Sequence, residues 1–401
     1  MGAQLDIAVE NSEARIARKV IVAFYASTQF GSEYRSGAEF IRFASSIGFD
    51  IAVIADLQQN QDPTELRQLT SGMEVVSVPS PVTTQKLLYR YTDWIPQTIW
   101  HRRVARWLRA NYGSLKVVWI QNGALPWLPI VPYFDLTDTI VWGPIGGGQT
   151  VFRRQIRALN WRGRLREDLR GRVEGMALSI KRRELKRRRA PQVIPIARTD
   201  DVRRGLESLF SGNVIPVVPE ILDPLSEVVV HRTPARTPRF VWVGQDVPRK
   251  NFPLALKIFS ELRERAFPGA TLEAYGFDGA GQALPIGVRI NGWVSRVQWE
   301  DFSKDGVLLL TSFREGLPSV VLEALSHGLL CVAYDVGALN RLRVDTLELI
   351  SRTEYPEIVP ETFERLAARI RRHLASESVH LGKVSYRDQL LECLRHSGVI
   401  R

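Results

Sequence analysis

Cysteine is nearly absent from this chain: of 401 residues, only Cys331 and Cys393 carry a thiol. A disulfide framework and a zinc spacing both need more, and Cys331 sits inside the apolar run LLCVAY, so a reducing cytoplasm is the expected setting. Long apolar runs are missing too. Nothing reaches the roughly 18 consecutive apolar residues that a membrane span requires. The start, MGAQLDIAVENSEARIARKVIVAF, places acids before an apolar run of strand length, so no signal peptide is expected, and Asp6 stands where a myristoylation site needs Ser or Thr. No short-period repeat, coiled-coil heptad or low-complexity tract is present. What is left is ordinary globular composition, 45% hydrophobic and 24% charged, at a length that favours two domains with separate cores.

Acidic residues are scarce in one place. The net charge of +11 comes from 54 Lys and Arg against 43 Asp and Glu, yet residues 153–189 alone hold 15 bases and four acids. That segment carries the whole excess, and the remainder is balanced. Within it Leu165, Leu169, Val173, Met176 and Ile180 recur at helical spacing, which predicts a basic amphipathic helix followed by KRRELKRRR. Two readings follow. In one the stripe packs on the first domain and the arginines are merely solvated. In the other the helix attaches to an anionic membrane surface. Nucleic-acid binding ranks below both, because no RNA- or DNA-binding module accompanies the charge.

Short apolar runs alternate with longer amphipathic stretches: VIVAF (20–24), IAVIA (51–55), EVVSVP (74–79), KVVWIQ (116–121) and TIVWG (139–143). After the basic segment the pattern restarts with VIPVVP (214–219), RFVWVG (239–244), TLEAYG (271–276), VLLLTS (307–312) and LLCVAY (329–334). Runs of this kind read as strands buried on both faces with helices between them, so an α/β fold with two parallel, doubly wound units is expected. DPLSEVVVHRTPARTPRF (223–240) is rich in breakers and reads as a surface loop. His101 is expected on a solvated helix face, and His327 in a surface or packing role.

The stretch EGLPSVVLEALSHG holds two carboxylates, Glu315 and Glu323, eight residues apart. VLLLTS before it is a strand and SFREGL a loop. Pro318 suits a helix start, and Gly328 is the stop. Ligands of open parallel sheets bind beyond the carboxyl ends of strands, where free N–H groups and the helix dipole attract anions. Gly316, Leu317, Ser319 and Val320 offer such groups. Glu315 would point into the cleft, and Glu323 would reach the same ligand from the side of the helix, its carboxylate able to accept two hydroxyls of a sugar diol.

These residues resemble family 4 glycosyltransferases, whose nucleotide-sugar signature has the E-x7-E pattern seen in FREGLPSVVLEALSHGLLCVAYDVG. WVGQDVPRKNFPLALKIFSEL is similar to the family's phosphate-binding strand–loop–helix, and LEAYGFDGAG and VRINGWVSR are similar to its glycine turn and nucleobase-side strand. QFGSEYRSGAEF and VWGPIGGGQTVF look like its cleft-facing glycine loops. The resemblance implies the GT-B fold: a Rossmann-like acceptor-binding domain over 1–205 that includes 153–189, and a Rossmann-like nucleotide-sugar-binding domain over 206–375. A helical tail over 376–401 would pack back toward the first domain.

It further implies transfer of a hexosyl group, with retained configuration, from a nucleotide diphosphate sugar to a hydroxyl. A UDP-sugar is favoured over a GDP-sugar. Glu315 would contact the sugar, Glu323 the ribose, and Lys250 the diphosphate, with Gly244 and Arg249 beside it. Gly31, Asn122, Gly146 and Gly147 would line the acceptor side. The leaving phosphate would itself assist the incoming hydroxyl, so no protein base is required, while Lys250 and the helix start would stabilise the diphosphate as it leaves. No DxD motif stands out, and the spacing in DLTD (135–138) is wrong for one, so a metal-independent site without a cofactor is expected.

Two departures from the family pattern stand out. Gln245 occupies the place where relatives carry Arg, and Asn122 stands near where many carry His. The reading is therefore a transferase peripheral at the inner face of the cell membrane, building bacterial surface polysaccharide on a lipid-linked glycan acceptor. A soluble small-molecule acceptor and a catalytically silent partner-binding subunit are the alternatives.

Overall fold

The computed structural model describes residues 18–401 apart from 28–31, 57–62, 71, 81–93, 122–129, 147–152, 158, 160, 188–190, 211–214, 220–226, 280–282 and 295–296. Six parallel strands make the first sheet: β1 (Lys19–Ala23), β2 (Ile51–Asp56), β3 (Glu74–Pro79), β4 (Val117–Gln121), β5 (Thr139–Ile145) and β6 (Gln192–Ala197). Their spatial order is β3-β2-β1-β4-β5-β6. β1 and β4 are buried almost throughout, as central parallel strands with a hydrophobic layer on each face must be.

β7 (Val228–His231) precedes a second sheet made of β8 (Arg239–Val243), β9 (Thr271–Tyr275), β10 (Val288–Ile290), β11 (Gly306–Leu310), β12 (Leu330–Tyr334) and β13 (Leu347–Ile350). Its order, β10-β9-β8-β11-β12-β13, repeats the winding of the first. Each sheet therefore reverses direction once, between β1 and β4 and between β8 and β11. The loops leaving those four strands border the crevices where such folds bind ligands.

Three elements depart from the sequence reading. Of VIPVVP, expected to open the second unit, Ile215 and Val217 pack in the first core, and Val217 forms an isolated bridge to Ala197 of the first sheet. Pro216 and Pro219 supply no N–H, so the run cannot continue as a ladder. β6 itself went unread because Pro195 interrupts it; an edge strand accepts that proline. The breaker-rich 223–240 contains β7, which pairs antiparallel with β14 (Ser378–Leu381).

The C-terminal helix Arg387–His396 crosses back to the first domain. Leu390 and Leu394 are fully buried there beside Ala44 and Phe43. Ion pairs also join the domains: Arg341 grips Asp200 at 2.7 and 2.9 Å, and Arg352 reaches Asp201 at 3.0 Å. The Arg341 guanidinium holds the Asp200 carboxyl below its ordinary range. His101 is fully buried, its Nδ1 2.7 Å from the Tyr133 hydroxyl, which corrects the solvated placement. Polar side chains on an amphipathic helix are accepted inside when a partner is supplied.

Candidate functional site

The loop after β8 is shaped by close approach. A Cβ on Gly244 would lie 3.3 Å from the Lys250 stem, and one on Gly276 (φ +96°) would lie 2.8 Å from the Gly244 carbonyl. Two strand ends thus meet backbone to backbone, which only glycine allows. Asn251 turns the loop with φ 51° and starts the helix Phe252–Arg265. Thr311, just past β11, accepts from Trp242 Nε1 at 3.1 Å, and its hydroxyl lies 2.9 Å from the carbonyls of both Lys250 and Asn251. Phe313 donates its N–H to the Arg249 carbonyl at 3.0 Å. The loops after β8 and β11 are fastened into one unit at the switch point.

On that unit Lys250 Nζ lies 2.6 Å, and Arg249 Nη1 3.2 Å, from the same oxygen, Glu315 Oε1. Alternation along a strand would send neighbours apart, but here the tight turn brings both cations to one carboxylate. Glu315 is only 10% exposed, so the charges meet in a setting that water screens poorly. Gly316, Leu317 and Pro318 then lead into the helix Ser319–Ser326, which Ser319 and Val320 open, with Pro318 at its N-cap and Gly328 (φ +77°) beyond its end. The first amides of that helix have no carbonyl within it to bond. Gln245 is exposed and neutral.

Glu323 lies on the exposed side of the same helix, and the buried Trp299 donates its indole N–H to Glu323 Oε2 at 3.1 Å. Trp299 was not foreseen. Its place in QWEDF only becomes informative once that turn is folded against the helix. His327 follows the helix, half-buried, with Nδ1 2.8 Å from the Glu323 carbonyl.

On the first-domain side Gly146 is buried directly after β5, whereas Gly31, Asn122 and Gly147 lie outside the described residues. Arg198, which sequence reasoning passed over, follows β6. Its Nη2 donates to Ser36 Oγ at 2.9 Å, and its Cδ lies 3.2 Å from where a Cβ on Gly316 would stand. Leu317 packs against hydrophobic clusters of both domains. The loop after β11 is thus also a place where the domains touch.

The basic segment forms the helix Trp161–Arg187. Its protein side carries Gly163, buried, and Glu167, which pairs with Arg314 at 3.1 Å; Leu185 packs on the first core. Leu159, just before it, is buried in the second core. The opposite side carries Trp161, Leu165, Leu169, Met176 and Ile180, which are 50–68% exposed. Leu165, Leu169, Met176 and Ile180 of the apolar stripe therefore face away from the protein, and of the two readings the one in which the stripe packs on the first domain is corrected. Among the described residues no helix is long and apolar enough to cross a membrane.

Residues 237–376 match the family model Glycosyl transferases group 1. Similar solved structures span nearly the whole chain. The lipopolysaccharide outer core galactosyltransferase WaaB, in its apo form, is 14% identical with a TM-score of 0.54 over 94% of this chain and 95% of that one. The architecture is GT-B. WaaG, a glycosyltransferase involved in lipopolysaccharide biosynthesis, is 14% identical with a TM-score of 0.50 over 96% and 95%. The E. coli trehalose-6-phosphate structure bound with UDP-2-fluoro glucose is 11% identical with a TM-score of 0.53 over 94% and 95%. No curated protein matches the sequence. In this GT-B chain the glycosyl transferases group 1 region holds Lys250, Glu315 and Glu323.

Proposed function

We propose that the chain is a retaining glycosyltransferase that moves a hexosyl group from a nucleotide diphosphate sugar, a UDP-sugar before a GDP-sugar, to a hydroxyl of a lipid-linked glycan. The observation that carries this reading is the convergence of Lys250 and Arg249 on Glu315 beside the start of the helix Ser319–Ser326. Two cations and a row of free amides suit a diphosphate, and a carboxylate a bond away suits sugar hydroxyls. In the resting protein Glu315 holds the cations in place. On donor binding the diphosphate would share them, and they would stabilise its charge as the bond from the anomeric carbon to the phosphate oxygen breaks. The acceptor oxygen bonds to the same carbon from the same face, and its proton passes to the leaving phosphate. Domain closure would exclude water. The reaction uses no metal and no protein base.

The lipid-linked acceptor and an address on the inner face of the cell membrane in bacterial polysaccharide synthesis rest on the basic helix. Its outward apolar stripe amid arginines suits an anionic bilayer surface, where each basic residue near the headgroups contributes about 1 kcal/mol. The deciding experiment is thermal unfolding with UDP, GDP, ADP or TDP, each with and without EDTA. Stabilisation by one of them, unchanged by EDTA, is the expected result. No shift with any would overturn the donor site and favour a silent partner-binding subunit.

A further inference from the structure

The guanidinium of Arg198 is unexplained by the constellation above. It lies in the first domain, yet its stem crosses Gly316 of the donor loop, 3.2 Å from where a Cβ would be. Nη2 is anchored on Ser36, in the first turns of the helix Ser32–Ser46. Nε is buried, and among the described residues it has no hydrogen-bond partner. Nor does any described carboxylate stand within ion-pair distance. A partly buried cation with an unmet N–H is costly unless an anion satisfies it. Gly316, which the stem crosses, lies three residues before the helix Ser319–Ser326, whose free amides and dipole favour negative charge. The cations of the loop after β8, Lys250 and Arg249, are both engaged by Glu315, and Gln245 brings none.

We propose that Arg198 is a diphosphate-binding residue reaching across the cleft, so that the donor's leaving group is held by both domains. This rests on the donor-site reading above and adds a residue to it. Gly316 is what makes room: any side chain there would meet the Arg198 stem. Because the contact spans the cleft, domain closure and charge stabilisation become one event.

The test is calorimetric titration of the full chain, wild type and Arg198→Gln, with the nucleoside diphosphate that the unfolding screen selects and with its monophosphate. The expected result is an affinity loss of about 10- to 100-fold for the diphosphate, as for a charged hydrogen bond, and a much smaller loss for the monophosphate. Unchanged diphosphate affinity overturns the proposal. Equal losses for both ligands, with a lowered unfolding temperature, also overturn it, since Arg198 would then be only a tether to Ser36. If wild type binds neither ligand, the donor site itself fails. Should Arg198→Gln not fold, Arg198→Lys keeps the stem and the charge but loses Nε–H, and the same diphosphate-selective loss is expected at about 3- to 10-fold.

Discussion

Arg314 of the loop after β11 and Glu167 of the basic helix pair at 3.1 Å, with only 8% and 10% of their side chains exposed. One end of the basic helix Trp161–Arg187 is thus tied to the residue next to Glu315. Glu167→Gln keeps the shape and removes the charge, and is expected to cost roughly 1–3 kcal/mol in denaturant unfolding. Asp168→Asn, on an exposed neighbour, is the control expected to stay within about 0.5 kcal/mol.

Glu315→Gln and Lys250→Ala are expected to lower kcat about 10²- to 10³-fold, as removal of a group that stabilises developing charge does. Initial rates with the selected nucleotide sugar check this. A function that survives both changes would mean that the chain works without chemistry.

Trp299→Phe keeps the ring in the core but removes the N–H that holds Glu323 at 3.1 Å. Donor KM is expected to rise several-fold with kcat little changed, because Glu323 would bind the ribose, away from the reacting carbon.

The outward stripe predicts binding to vesicles containing phosphatidylglycerol and not to pure phosphatidylcholine. Leu169→Asp with Ile180→Asp should abolish sedimentation with the vesicles and leave the unfolding temperature unchanged, since both side chains are at least half exposed. Full binding by this double variant would exclude the stripe as the contact.

His373 is buried against Arg232, and burial first, then the neighbouring Arg232 and Arg369 charges, pushes it down to about 3. The folded protein keeps it neutral, whereas the unfolded chain takes up a proton near the ordinary 6.5. Stability is therefore at its full value above pH 6.5 and falls as the pH drops toward 3. Asp200, held below its ordinary range by Arg341, adds loss in the same direction at more acidic pH. Denaturant unfolding at pH 7.5, 6 and 5 reads the slope, and His373→Gln should flatten its upper part.

Much of the frame was legible locally. Nine of the strand runs were readable because parallel strands buried on both faces must be continuously apolar. Pro318 and Gly328 marked a helix start and its stop, because a fixed φ and a tolerance for positive φ are local properties. The short β13 and the proline-bearing β6 were not readable, since their pairing comes from partners far along the chain.

The sequence by itself determined where cations, carboxylates and free amides fall relative to strand ends, because backbone alternation and helix starts are local properties. Periodicity also placed Leu165, Leu169, Met176 and Ile180 on one face of a helix. Only the tertiary structure decided that this face points outward, that Arg249 and Lys250 share one oxygen, that Trp299 holds Glu323 and that Arg198 lies over Gly316. Each depends on what a distant segment packs against, and a stripe or a spacing carries no record of its partner.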